Sequence, residues 1–285
     1  MTHSLRSAFR PAKLTPIPMK SRTTKLSLYD LYENSVQSPE THIDWLVKMY
    51  HEMHGRYPTQ LREDFCGTFA MCCAWVKRNR ANKAIGLDLD PEPIAYGKKV
   101  HLAKLNSEQK KRIKIFKQNA ISVTTPKADV IMAGNFSFFI FKERKTLVEY
   151  GKKCHASLAK DGVLFLEMAG GPGMITPMKE RKRFSLNKQS YTYIWDQQSF
   201  NPINHDAKYA IHFKLDGGHY IENAFTYDWR LWTIPEVKDA MLEAGFSKVL
   251  VFWETEHKGK GTGEYIPMEE GDNAYSWIAY VVGVR

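Results

Sequence analysis

The chain has 285 residues, 43% hydrophobic and 25% charged, enough apolar material for a large buried core. Its apolar runs fall well short of the ~20 residues of a membrane-spanning helix, and the N-terminus lacks the apolar stretch of a secretory signal. The four cysteines, Cys66, Cys72, Cys73 and Cys154, form no CxxC pair and have no metal-type spacing. They read as reduced thiols of a cytoplasmic protein with no bound metal.

The formal net charge is +10. Residues 1–28 contribute Arg6, Arg10, Lys13, Lys20, Arg22 and Lys25 and no acid. Pro11, Pro16 and Pro18 interrupt any amphipathic helix of the kind a transit peptide needs. This stretch is therefore expected to be a basic, flexible, solvated tail.

Ser38-Pro39 supplies an N-cap and a first-turn proline. Ile43, Leu46, Val47, Tyr50 and Met53 then recur at helical spacing, and Gly55 can close the helix. A strand follows Pro58 and runs to about Glu63. It leads through "LREDFCGTFA", residues 61–70, into a helix with Phe69, Cys72, Cys73 and Val76 on one face. Residues 84–87 read as a second strand, and Asp90-Pro91 as the start of the next helix. "RIKIFKQNA" alternates as a third strand and "ADVIMAG" is an apolar fourth. Leu147, Gly151, Cys154 and Leu158 mark a long helix, and "GVLFLEM", residues 162–168, is a fifth strand. Strands apolar on both faces that alternate with helices imply a parallel sheet covered on both sides. The expected fold class is thus α/β, a doubly wound Rossmann-like sheet of seven strands. Its ligand crevice lies at the carboxyl ends of the strands.

After the glycine-rich stretch at 170–173 the pattern changes. Residues 191–200, 207–215 and 219–232 are aromatic, strand-like and separated by turn signals at Asn201-Pro202 and Asp216-Gly217-Gly218. Residues 170–232 are therefore expected to form an antiparallel β insertion after the fifth strand. Thr233 and Glu236 make a capping box for a helix whose apolar face is Val237, Ala240, Met241 and Ala244, ending at Gly245. Residues 249–253 and 275–284 are the last two strands, with the glycine-rich, charged stretch 256–272 between them.

Each strand end offers something chemical. The first presents Glu63, then Phe65, Cys66, Gly67 and Thr68. Asp88 and Leu89 follow the second, Asn119 and Ala120 the third, and Asn135 the fourth. A dinucleotide loop needs about three glycines, whereas only Gly67 stands here. An acid after the second strand can hold both ribose hydroxyls, a short amide after the third can bond an adenine edge, and one glycine lets the backbone approach a ligand. The series suits a nucleoside without a pyrophosphate. Taken singly, Gly67, Asp88 and Asn119 are also ordinary turn and cap residues.

In these segments, together with "AIGLDLDPEP", "DVIMAGNFSFF" and "LAKDGVLFLEMAGG", the chain resembles the class I S-adenosylmethionine-dependent methyltransferases over residues 29–285. The closing "YDWRLWTIPEVKDAMLEAGFSKVLVFW" is similar to the ending of their small-molecule branch. Phe65 and Phe69 stand where that family carries the outer glycines of its first motif. The resemblance implies S-adenosyl-L-methionine as cofactor. It places Glu63 at the methionine end, Phe65 and Gly67 in the loop, Asp88 at the ribose and Leu89 on adenine, with Asn119 and Ala120 at the adenine edge. Asn135 falls near the transferred methyl, and Tyr32 and Gln37 lie in an N-terminal cover. It also implies a small-molecule acceptor beneath the insertion, with Trp195, His212 and Trp229 as candidate substrate contacts. His212 is the one weak candidate for a base.

An RNA or protein methyltransferase is the first alternative. Lys179, Arg181, Lys182 and Arg183 at the start of the insertion would serve an anionic acceptor, whereas the run of lysines from 98 to 117 reads as solvated surface. An NAD-dependent dehydrogenase or a non-catalytic nucleotide binder comes third, with the lone glycine against it.

Overall fold

The computed structural model describes residues 26–257 and 260–285. The expected basic tail therefore lies outside the described residues, except that Ser27 caps a helix and Leu28 opens it. Contacts divide the described residues into two compact units: residues 26–37 with 174–231, and residues 38–173 with the described part of 232–285.

The first unit begins with α1 (Leu28–Val36). Ser27 and Asp30 form its capping box. The second unit carries the alternating elements in the expected order: α2 (Pro39–His54), β1 (Gln60–Asp64), α3 (Ala70–Arg78), β2 (Lys83–Asp88), α4 (Pro91–Val100), the single turn α5 (Ser107–Lys110), β3 (Ile113–Lys117), β4 (Ala128–Ala133), α6 (Arg144–Ser157) and β5 (Leu158–Gly170). The turn α7 (Pro172–Ile175) leads to β6 (Met178–Leu186), β7 (Gln189–Phe200), β8 (Asp206–Leu215) and β9 (Tyr220–Arg230). The chain closes with α8 (Ile234–Glu243), β10 (Lys248–His257), β11 (Lys260–Pro267) and β12 (Trp277–Val284).

β1 to β5 are mutually parallel, and β12 runs antiparallel between β5 and β10. The full order is β11-β10-β12-β5-β4-β1-β2-β3, eight strands where seven were expected. The extra one is β11, which falls in the glycine-rich, charged stretch 256–272 to which no strand was assigned. Its glycines hid the strand, but it pairs antiparallel with β10 at the sheet edge. The chain builds outward from β1 through β2 to β3, then returns to the other side of β1 with β4. That reversal separates the two carboxyl ends and opens a crevice at their tips.

The central strands are buried throughout, as in β4 where all six residues are covered. Trp45 of α2 packs edge-on to Phe165 of β5 and lies 4.0 Å from the ring of Tyr280. Gly97 of α4 sits against the β1–α3 loop, where an added Cβ would collide with the Thr68 carbonyl and the Phe69 ring. Close packing at this glycine presses the loop onto the sheet.

In the other unit, β6-β7-β8-β9 is an antiparallel meander of four strands, one more than expected. The missed strand, β6, reads "MKERKRFSL", and its exposed charges mask the period-2 pattern. α1 covers part of one face through Leu31, which clusters with Tyr191, Ile211, Phe213 and Ala224. The Tyr191 hydroxyl accepts from Asn34 Nδ2 (2.8 Å), lies 3.0 Å from Ser35 Oγ and donates to the Leu31 carbonyl (3.2 Å).

Candidate active site

Strand alternation sends Arg62 and Glu63 to opposite faces of the sheet. Arg62, 0% exposed, donates to both oxygens of Asp64 (2.7 and 3.1 Å), to the carbonyls of Ala120 and Ser122, and to Ser157 Oγ. Tyr150 adds a hydroxyl donor to Asp64 at 2.8 Å. This saturated network ties β1 to α6 and to the segment after β3. It leaves Arg62 no donor for a cofactor carboxylate.

Glu63 faces α3. Its Oε2 accepts the Cys72 backbone N–H at 3.0 Å, so it secures the first turn of that helix. Burial pushes its carboxyl up to about 7 against the pull of the Cys72 thiol and backbone N–H.

Between Asp64 and α3 the chain turns sharply. Cys66 N–H donates to the Leu87 carbonyl (3.0 Å) and Phe69 N–H to the Cys66 carbonyl (2.6 Å). Phe65, Gly67 and Phe69 all have left-handed backbone, with φ of 56°, 52° and 48°. Two phenylalanines thus adopt the conformation that glycine usually supplies. Phe69 is fully buried, and the Phe65 ring lies 5.7 Å from Phe141. At Gly67 nothing stands within 4 Å of where a Cβ would be. The backbone there is open to a ligand.

Asp88 closes the loop from the neighbouring strand. Gly67 N–H donates to its Oδ2 (2.7 Å) and Asp90 N–H to its Oδ1 (2.8 Å). A carboxylate has about four acceptor positions; with the Leu89 backbone N–H as a third donor, acceptor capacity still remains on Asp88. Burial raises the Asp88 carboxyl above its ordinary value. The next residue, Leu89, is 56% exposed, an apolar side chain beside a polar rim. Asn119 Oδ1 accepts from Ile121 N–H (2.8 Å) in a side-chain turn. Its amide NH₂ has no partner among the described residues. Ala120 is buried, with its carbonyl held by Arg62.

At the tip of β4, Asn135 and Phe136 are again left-handed, with φ of 51° and 57°. Asn135 N–H donates to Glu167 Oε2 (2.5 Å). Glu167, on β5, is 5% exposed, accepts from the Tyr280 hydroxyl (3.2 Å) and has His42 Nε2 3.8 Å away. Sequence reasoning missed Glu167 and His42. The available signal was the lone acid in "GVLFLEM", a strand otherwise apolar on both faces.

Glu63, Phe65, Gly67, Asp88, Leu89, Asn119, Ala120 and Asn135 thus sit on consecutive strand ends of one unit. Tyr32, Gln37, Trp195, His212 and Trp229 belong to the other. Tyr32 lies on α1 with its ring 4.6 Å from Phe225, and Gln37 caps that helix. Trp195 stacks on Tyr209 at 5.2 Å, and Trp229 lies 4.5 Å from Tyr227. His212 is fully engaged. Its Nδ1 accepts from Asn223 N–H (2.8 Å), so Nε2 carries the proton and donates to Asp196 Oδ2 (3.1 Å). With 2% exposure and neither nitrogen spare, His212 joins β7, β8 and β9 and is a poor base. Among the described residues no cluster of histidine, cysteine and acids is placed to hold a metal ion. No helix among the described residues is long and apolar enough to cross a membrane.

No protein-family model matches the chain, and no curated protein sequence does. Solved structures do. DesVI of Streptomyces venezuelae superposes with a TM-score of 0.68 at 14% identity, covering 92% of this chain and 99% of its own. An amino pentose methyltransferase of Micromonospora echinaspora, solved with bound S-adenosylmethionine, gives 0.65 at 13% identity over 92% and 99%. The sugar N-methyltransferase KedS8 of a Streptoalloteichus species gives 0.63 at 14% identity over 96% and 99%. The chain has the fold of the class I S-adenosylmethionine-dependent methyltransferases, as its motifs led us to expect.

Proposed function

We propose that this protein is an S-adenosylmethionine-dependent methyltransferase acting on a small-molecule acceptor. The observation that carries the reading is the joint placement of Gly67 and Asp88. An uncovered left-handed glycine donates to a carboxylate that retains acceptor positions, at the strand reversal of this fold. The residues fit the cofactor. Asp88 would hold the ribose, Leu89 would lie against adenine with the Asn119 amide at its edge, and Glu63 would fix the loop nearest the methionine end. Asn135, held by Glu167, would line the reacting end. When bound, the cofactor supplies a sulfonium methyl to an attacking nucleophile. The protein's part is to align the two partners and exclude water. The likeness to an amino pentose methyltransferase and a sugar N-methyltransferase supports a small acceptor.

Calorimetry with S-adenosylhomocysteine tests this. The intact protein should bind it saturably and should not bind NAD. Asp88→Ala should weaken binding by at least tenfold, about 1.4 kcal/mol. Tight NAD binding, or an Asp88→Ala protein that binds S-adenosylhomocysteine as well as the parent, would overturn the reading.

A further inference from the structure

One face of the antiparallel sheet is divided. α1 covers the part around Tyr191, Ile211 and Phe213, which are buried. Beyond it the same face continues as Tyr193, Trp195, Tyr209, Tyr227 and Trp229. Trp195 lies 5.2 Å from Tyr209 and 5.8 Å from Tyr227. Tyr193, Trp195 and Tyr227 remain half-buried, not sealed. Tyr32, at the rim of α1, hydrogen-bonds to Tyr227. Burial pushes the Tyr193 and Tyr227 phenols well up, so these two hydroxyls stay neutral.

The edge strand β6 contributes the charge. Glu180 is registered opposite Trp195, and Lys182 opposite Tyr193. Both point to the aromatic face, since residues two apart in a strand share a side. They are not equivalent. Lys182 is turned over the Phe184 ring, with its ammonium 5.3 Å from the centroid. Glu180 is exposed and has no ion-pair partner among the described residues. The remaining charges of β6, Lys179, Arg181 and Arg183, lie on the opposite face, where Lys179 pairs with Asp196 and Arg183 with Asp216. The face thus joins ring faces, neutral phenols and one unpaired carboxylate, the combination that attracts an organic cation. Lys182 on Phe184 shows one ring at the edge of this face seating an ammonium.

We propose that Trp195, Tyr227, Tyr193 and Tyr32 with Glu180 form a binding site for an organic ammonium group, so that the acceptor presents an amine. The amine assignment rests on the methyltransferase reading; the site itself does not.

The probe is choline, set against its neutral isostere 3,3-dimethyl-1-butanol. The full-length protein carries ¹⁵N-labelled tryptophan, and the Trp195 indole resonance is assigned by Trp195→Phe. Choline should shift that resonance saturably while the alcohol binds at least tenfold more weakly. Glu180→Gln, at an exposed position, should weaken choline roughly tenfold, and Lys182→Gln should tighten it. Equal binding of choline and the alcohol would overturn the proposal, as would a Trp195 resonance that choline leaves unmoved, or a Glu180→Gln protein that binds choline unchanged. Calorimetry with S-adenosylhomocysteine on the same samples separates the two readings. Cofactor binding without choline binding defeats the ammonium site alone, and choline binding without cofactor binding defeats the methyltransferase reading alone.

Discussion

Glu63 and Arg62 are adjacent, both buried, and differ in what surrounds them. Arg62 meets a carboxylate and three more acceptors, so it stays charged and satisfied. Glu63 has only Cys72 as donor, through its backbone N–H and its thiol, and no cation among the described residues, and its carboxyl rises to about 7. The unfolded chain releases that proton near pH 4.5, so between those values the folded protein holds more protons. Stability therefore falls as pH rises through this window, by an amount on the order of 3 kcal/mol. Glu63→Gln keeps an acceptor for Cys72 and removes the titration. Urea unfolding at about pH 5 and pH 8 should show a smaller difference in the variant than in the parent, with the variant more stable at the higher pH. Phe65 poses a different question, because its left-handed backbone costs about 1–2 kcal/mol relative to glycine. Its ring recovers part of that against Phe141 and Tyr150. Phe65→Ala keeps the strain and loses the packing, whereas Phe65→Gly loses only the packing. Glycine should be the milder change by roughly 1 kcal/mol in chemical denaturation.

The helices and central strands were legible for definite reasons. Ser38-Pro39, Asp90-Pro91 and the Thr233–Glu236 box each start a helix where expected, and Gly55 and Gly245 end theirs in left-handed geometry. β4 and the second half of β5 are apolar because helices cover both faces. Two edge strands escaped. β6 has charges on both faces because water reaches it, and β11 is rich in glycine. The candidate site was legible wherever a residue type has few roles, as at Gly67 and Asp88. Partners set by the fold alone, such as Glu167 with Asn135, leave no spacing in the sequence. The bonding of His212 to Asn223 and Asp196 was equally hidden. α1 offers a test of how an element is held. Tyr191→Phe removes the hydroxyl that meets Asn34, Ser35 and the Leu31 carbonyl. A loss of about 1–3 kcal/mol is expected. Hydrogen exchange at the α1 amides should quicken by about tenfold or more while β4 amides stay protected.

At the scale of the molecule, superposition at 13–14% identity shows how little of this fold depends on particular side chains. The alternation of buried strands and capped helices suffices for the sheet. Where the chain passes from β5 toward α7, the constraints become specific. Gly171 is left-handed at φ 94°, and Gly173 N–H donates to the Tyr275 carbonyl at 2.6 Å. A Cβ on Gly173 would strike Ser276 Oγ. Gly217, in the β8–β9 turn, is also left-handed (φ 93°) but has open space around it. Gly173→Val should therefore lower the melting temperature by several degrees more than Gly217→Ala, whose cost is limited to about 1 kcal/mol of backbone strain. A scan in which the two variants melt together would count against the close approach at residues 275–276.

The partnership of α1 with β6–β9 also has an order in time. α1 leaves the ribosome first, but Tyr191, Ile211 and Phe213, against which Leu31 packs, are made only after all of residues 38–173. At about 5–20 residues per second, Leu31 waits on the order of ten seconds for its partners. A nascent chain halted before β7 would keep that apolar stripe accessible to a chaperone, and one extended past β9 would withdraw it.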